Sequence, residues 1–129
     1  MDGKITLITP PDIFENSNKS IIFFHLSEDD QDTVSTWLNE SKIEEDINLY
    51  VYNGEDNLPW LFYAMAQCDF KYVDLNGQNL ITQALSGYML GKPNFYYKTN
   101  NEELAAVYSH INNNRVSNIE VFLERILIG

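Results

Sequence analysis

The stretch from Phe70 to Tyr97 constrains this chain more than any other. It reads FKYVDL, then NGQNLITQALSGYMLGKP, then NFYY: a strand ending near a carboxylate, a helix closed by Gly-Lys-Pro, and a second strand. Two strands separated by a helix of that length pair in parallel, because a parallel pair needs a long crossover and such crossovers are right-handed. Ligands in parallel α/β sheets bind beyond the carboxyl ends of the strands. Asp74 stands at such an end and marks where a site would lie.

The same alternation runs through the rest of the chain. Lys4–Ile8 (KITLI) reads as a short strand stopped by Pro10 and Pro11. Ser20–Leu26 (SIIFFHL) is an apolar run of one buried strand. Ser27 is a helix N-cap with acidic side chains behind it, and Val34, Trp37 and Leu38 form one apolar stripe. Ile47–Tyr52 (INLYVY) is the next strand. Pro59 opens a helix over Trp60–Gln67, a position proline tolerates. Phe70–Leu75 is the following strand and Asn79–Leu90 the following helix, with Gly91 as its natural stop before Pro93. Asn94–Tyr97 is a strand, Asn101 caps a helix through His110, the Asn112–Asn114 run breaks it, and Ser117 caps a last helix, Ile119–Ile128. Strands alternating with helices specify one α/β domain over residues 1–129, a three-layer sandwich with a mainly parallel sheet. KITLI is expected at an edge, and SIIFFHL beside FKYVDL.

Charge excludes several partners. The chain carries 19 acidic and 8 basic residues, for a net charge of −11. Such a surface repels phosphate backbones and anionic membranes, so no nucleic-acid or membrane partner is expected. No apolar run approaches the roughly 20 residues that cross a bilayer. Asp2 and Lys4 before a short apolar strand do not read as a secretory leader. A lone cysteine, Cys68, excludes an internal disulfide, and the expected location is the cytoplasm. Lys outnumbers Arg, a bias that carries little chemistry.

The chemistry-bearing residues are few. His25 and His110 are the only histidines and lie far apart, so no metal centre is expected. The glycines are scattered and form no phosphate-binding loop, and no serine nucleophile elbow is present, so no cofactor is expected. Cys68 ends the apolar helix LFYAMAQC and reads as a small buried hydrophobe. Asp74 either holds a ligand hydroxyl at the crevice or caps the following loop. Glu55 and Asp56 follow the neighbouring strand end; their simpler reading is a pair of turn acids. His25 lies at the same edge, where a histidine satisfied by its neighbours is the simpler reading.

Taken together, SIIFFHL, INLYVYNGE, the run Cys68 to Asp74 and QALSGYMLGKPNFYY resemble the nucleoside 2-deoxyribosyltransferase-like family over about residues 20–110. The best anchor is Gly91-Lys92-Pro93. The resemblance implies a flavodoxin-like, doubly wound sheet. It also places the family's nucleophilic glutamate at Gln83, the glycine after it at Leu85, and its small-residue loop at His25-Leu26-Ser27. An amide does not attack an anomeric carbon as a carboxylate does. The resemblance thus implies the fold and a nucleoside-like small molecule, but not covalent transfer.

Two kinds of function follow. One is a non-catalytic protein that binds a nucleoside, nucleotide or other small polar ligand through His25, Tyr52, Asn53, Asp74 and Gln83. The other is a protein-interaction module. A third reading is an N-glycosidic hydrolase or transferase using Asp74 or Glu55 as its catalytic carboxylate. Association is expected as well. Trp60, Phe62, Tyr63 and Met65, with Tyr88 and Met89, make two helices apolar on more than one face, and a homodimer would cover them. The competing cover is the C-terminal helix of the same chain.

Overall fold

Five parallel strands carry the fold: β1 (Ile5–Leu7), β2 (Lys19–Phe24), β3 (Ile47–Tyr52), β4 (Phe70–Asp74) and β5 (Phe95–Lys98). The structure is a computed structural model that describes residues 5–10, 12–14, 18–41, 43–52, 58–76 and 86–128. The strand order is β1-β3-β2-β4-β5, and every pairing is parallel. Between the strands run α1 (Glu28–Ser41) and α2 (Leu58–Gln67); after β5 come α3 (Glu102–Tyr108) and α4 (Ile119–Leu127). Residues 86–89 form a helical turn before β5; the rest of the helix expected there, at 79–85, lies outside the described residues. This is a doubly wound, flavodoxin-like α/β sheet, with SIIFFHL beside FKYVDL and KITLI at the edge.

The period-2 alternation of each strand sorts side chains onto two faces. Ile22, Phe24, Tyr50, Tyr52, Val73, Phe95 and Tyr97 pack with Leu61, Ala64 and Met65 of α2 and with Met89 and Leu90. Leu104 and Tyr108 of α3 lie against the same cluster. Ile21, Phe23, Ile47, Leu49 and Tyr72 pack instead with Val34 and Leu38 of α1 and Phe122, Leu123 and Ile126 of α4. Phe122 is the keystone of this second face. Its ring lies 5.7 Å from Phe23, 5.0 Å from Tyr72 and 5.2 Å from Tyr96. Pairs of this kind add about 0.5–1.5 kcal/mol each beyond their area burial. From β2 the chain steps to β3 through α1 on one face and returns past β2 to β4 through α2 on the other. Crossovers of one hand require that change of face when the direction along the sheet reverses.

Local signals explain the ends. Ser27 Oγ accepts from the Asp30 amide at 3.1 Å and so caps α1. Asn101 Oδ1 accepts from the Leu104 amide at 3.1 Å and caps α3. The last helix is capped by Asn118, not Ser117: its Oδ1 accepts from the Val121 amide at 2.9 Å. The extended backbone of Asn118 aims a side-chain oxygen at the first turn, and a residue one earlier does not reach it. The helical turn ends at Met89 and the chain turns through Leu90 and Gly91, as expected; the left-handed backbone before β5 falls at Asn94, with φ 63°. Asparagine tolerates that conformation better than other side chains.

The aromatic face of α2 is covered in part by its own chain. Phe14 stacks on Trp60 with ring centres 6.0 Å apart, its amide donates to Tyr63 Oη at 3.2 Å, and Trp60 Nε1 donates to the Asp12 carbonyl at 3.2 Å. α4 lies on the opposite face of the sheet and does not cover α2. Phe62 and Tyr88 stay 52% and 65% exposed, beside a groove of about 610 Å³ that Met65, Met89 and Lys92 also line. Among the described residues, no helix is long and apolar enough to cross a membrane.

Candidate functional site at the carboxyl edge of the sheet

The strand order reverses between β2 and β4, so the loops leaving these strands part to opposite faces and open a crevice at their carboxyl ends. On the β2 side, His25 takes up the left-handed backbone with φ 57°. Its amide donates to the Tyr52 carbonyl at 2.7 Å, and its ring meets the Tyr52 ring edge-on at 5.5 Å. Partial burial lowers the His25 pKa, because desolvation disfavours the imidazolium. A left-handed residue at this bend is a position that glycine fills without strain, and here histidine fills it.

On the β4 side, Asp74 is engaged in two directions. Its Oδ1 accepts from the Asn76 amide at 3.0 Å and from Asn76 Nδ2 at 2.8 Å, which closes an Asx turn. Its Oδ2 lies 3.9 Å from Lys98 Nζ on the paired residue of β5. Asn76 Oδ1 then accepts from the Asn100 amide at 2.9 Å, tying the loops after β4 and β5 together. The capping contact, one of the two roles the sequence left open for Asp74, is therefore present.

The candidate residues divide. His25 and Tyr52 meet at the ring contact above. Tyr52 faces the α2 side of the sheet, whereas Asp74 shares the parity of Tyr72 and faces the α1–α4 side. Asn53, Glu55, Asp56 and Gln83 lie outside the described residues. Cys68 is buried, and desolvation pushes its thiol up to about 12, which keeps it a protonated hydrophobe. Among the described residues, no group of three or more His, Cys, Asp and Glu could hold a metal ion.

A cavity of about 440 Å³ opens beside Lys98. It is bounded by the end of β5, by Arg115 and Ser117, and by Val121 and Arg125 one turn apart on α4. Arg115 is held firmly. Its Nη1 and Nη2 donate to Glu102 Oε2 and Oε1 at 3.1 and 2.8 Å, and Nη2 also donates to the Thr99 carbonyl at 2.8 Å. That fork lowers the Glu102 pKa and raises that of Arg115. Residue 115 reaches this place because it forms a parallel bridge with Tyr97, extending the sheet by one residue beyond β5. Sequence reasoning missed Lys98, Arg115 and Arg125. A signal was present: the chain contains only two arginines, and both line this cavity.

No protein-family model matches the chain, and no curated protein matches it either. The parallel α/β fold and the geometry of its carboxyl edge therefore carry the functional argument.

Proposed function

We propose that this chain binds a small polar ligand of nucleoside or nucleotide type at the carboxyl edge of its sheet, and does so without cleaving a glycosidic bond. The observation that carries this reading is the reversal of strand order between β2 and β4, with His25 after β2, Asp74 at the end of β4, and Lys98 beside Asp74 at the end of β5. Doubly wound sheets use that place for ligands because backbone and side-chain polar groups converge there without competing with the core. The resemblance to nucleoside 2-deoxyribosyltransferase-like proteins supports the choice of ligand class. The half-buried His25 ring is the aromatic surface at this edge that a base could meet; Tyr52, at 2% exposed, packs into the core and supports His25 from within.

The non-catalytic half of the reading rests on the carboxylates. Asp74 spends one oxygen on two Asn76 donors and turns the other toward Lys98. The Asx turn occupies Oδ1 and the Lys98 ammonium partly neutralises Oδ2, an arrangement that suits a structural carboxylate better than a nucleophile. Gln83, where the resemblance places the nucleophile, is an amide. The test pairs two measurements on the whole chain. Titration with purine and pyrimidine deoxynucleosides should move backbone amides at residues 25–27 and 74–76. Incubation with the same compounds should release no free base at an enzymatic rate. Release abolished by Asp74→Ala would reverse the catalytic half, and no binding by any nucleoside or nucleotide would reverse the other.

A second reading, an interaction surface, draws on Phe62 and Tyr88, which stand exposed together beside the α2 groove. The occupant consistent with that surface is a second copy of the chain, in a twofold dimer.

A further inference from the structure

We propose that the cavity between the end of β5 and α4 is an oxyanion pocket that takes the phosphate of a phosphomonoester. The inference rests on the ligand-binding reading above and deepens it, by assigning the charged end of the ligand to Lys98, Arg115 and Arg125.

The first reason is charge. The chain carries −11, yet among the described residues those bounding this cavity include three cations and no carboxylate; Glu102 and Asp74 pair with Arg115 and Lys98 from outside it. Both arginines of a lysine-biased sequence meet there. Arginine is the side chain whose planar fork matches phosphate oxygens.

The second reason is donor availability. Arg125 is exposed and makes no hydrogen bond or ion pair among the described residues. Ser117 is exposed as well, and its hydroxyl has no partner among the described residues. Arg115 is oriented by Glu102 and the Thr99 carbonyl through Nη1 and Nη2, and its Nε–H serves neither contact. Among the described residues, Lys98 is held by the 3.9 Å approach to Asp74 alone. One arginine is thus fixed in place and the other is unengaged. Donors from β5, from the 115–117 segment and from α4 suit a tetrahedral dianion, which accepts from several directions. A planar carboxylate is satisfied by a single fork.

The third reason is size and place. About 440 Å³ lies within the range of small-ligand sites and exceeds what one phosphate group fills. Lys98 belongs to both the cavity and the Asp74 pair, so an organic group attached to the phosphate extends from the cavity toward the β4 end. A polynucleotide does not fit this arrangement. Its many phosphates would lie along the acidic surface, whereas one phosphate senses chiefly the charges within about 8–10 Å at physiological salt.

The experiment is a set of titrations followed by amide chemical shifts, at constant ionic strength set with chloride. The probes are inorganic phosphate, a nucleoside 5′-monophosphate and the matching nucleoside; the proteins are the wild type and the Arg125→Ala and Arg125→Glu variants. The phosphate-bearing probes should move the amides of Thr99, Asn100, Ser117 and Arg125. Arg125→Ala should weaken them by about tenfold or more, the loss expected for one charge-assisted hydrogen bond, and Arg125→Glu by more. The nucleoside alone should be indifferent to both variants. Phosphate that moves no amide at this cavity, or affinity unchanged in Arg125→Glu, overturns the inference. Nucleoside binding to which a phosphate adds nothing overturns it too, while leaving the proposed function intact. Phosphate bound at the cavity with no nucleoside binding anywhere sustains the pocket and reverses the nucleoside assignment.

Discussion

Replacing Asn112 with alanine should destabilise the fold by about 2–4 kcal/mol, a cost that can be built bond by bond. Asn112 is only 8% exposed and follows α3, where the chain returns along β5. Its Nδ2 donates to the carbonyls of Leu90 and Phe95, each at 3.1 Å, and its Oδ1 accepts from the Asn114 amide at 2.6 Å. The Leu90 carbonyl belongs to the end of a helix, where carbonyls lack intrahelical partners. The Phe95 carbonyl keeps a second donor, Asn114 Nδ2 at 3.2 Å. Truncation therefore strands two backbone groups, Leu90 C=O and Asn114 N–H. Each costs about 1–3 kcal/mol when buried, less whatever water recovers at the half-buried Asn114. Asn112→Asp should cost more near neutral pH, since it turns two donor contacts into a carboxylate facing two carbonyls. Those carbonyls raise the folded-state pKa of the new acid. Its stability contribution is then fully present below the unfolded-state pKa and is lost as pH rises through the folded value. Urea unfolding monitored by circular dichroism, with m held constant, measures both variants. An Asn112→Ala loss below about 1 kcal/mol, or equal losses for both variants at pH 7, would refute this accounting. The stake extends to the proposed site. Asn112 anchors residues 114–116 along β5, and that pairing positions Arg115.

Three further outcomes follow. Cys68, with its thiol pushed up to about 12, should alkylate about a thousandfold more slowly in the native protein at pH 8 than in denaturant; comparable rates would show that the thiol is reachable and ionised. The His25 pKa is lowered in the folded state, so its contribution to stability is present above the ordinary value of 6.5 and is lost as pH falls below that toward the folded value. A His25→Gln variant should flatten that part of the pH–stability curve, and an unchanged curve would discount the histidine. If the α2 groove joins two copies, sedimentation at micromolar concentration should show a dimer that Phe62→Glu converts to monomer; a wild-type monomer would discard the dimer.

Much of the fold was legible because its signals are local or periodic. KSIIFF, INLYVY and FKYVD are apolar on both sides, as strands covered on two faces must be, and the spacing between them demands helical crossovers. Caps at Ser27 and Asn101 are readable since a side chain and an amide three residues on suffice. The cap that shifted, Asn118 for Ser117, differs because neighbouring residues of similar propensity compete and the backbone entering the helix chooses between them. The candidate site was legible only as an edge. Period-2 alternation tells which residues share a face of one strand, but Tyr52 and Asp74 sit on different strands. Only the register across β2 shows that they face opposite ways.

The sequence by itself determined the alternation, the parallel sheet, the acidic surface and the placing of Asp74 at a strand end, because these depend on spacing and composition. Tertiary structure decided three other things. It set α4 on the face away from α2, so that Asp12 and Phe14 cover Trp60 and Tyr63 of α2 while Phe62 and Tyr88 stay exposed. It engaged Asp74 with Asn76 and Lys98. It also gathered Lys98, Arg115 and Arg125 around one cavity. These residues are distant in sequence and carry no shared period. Their meeting depends on the bridge between Tyr97 and Arg115 and on the packing of Phe122, which seats α4 against the sheet.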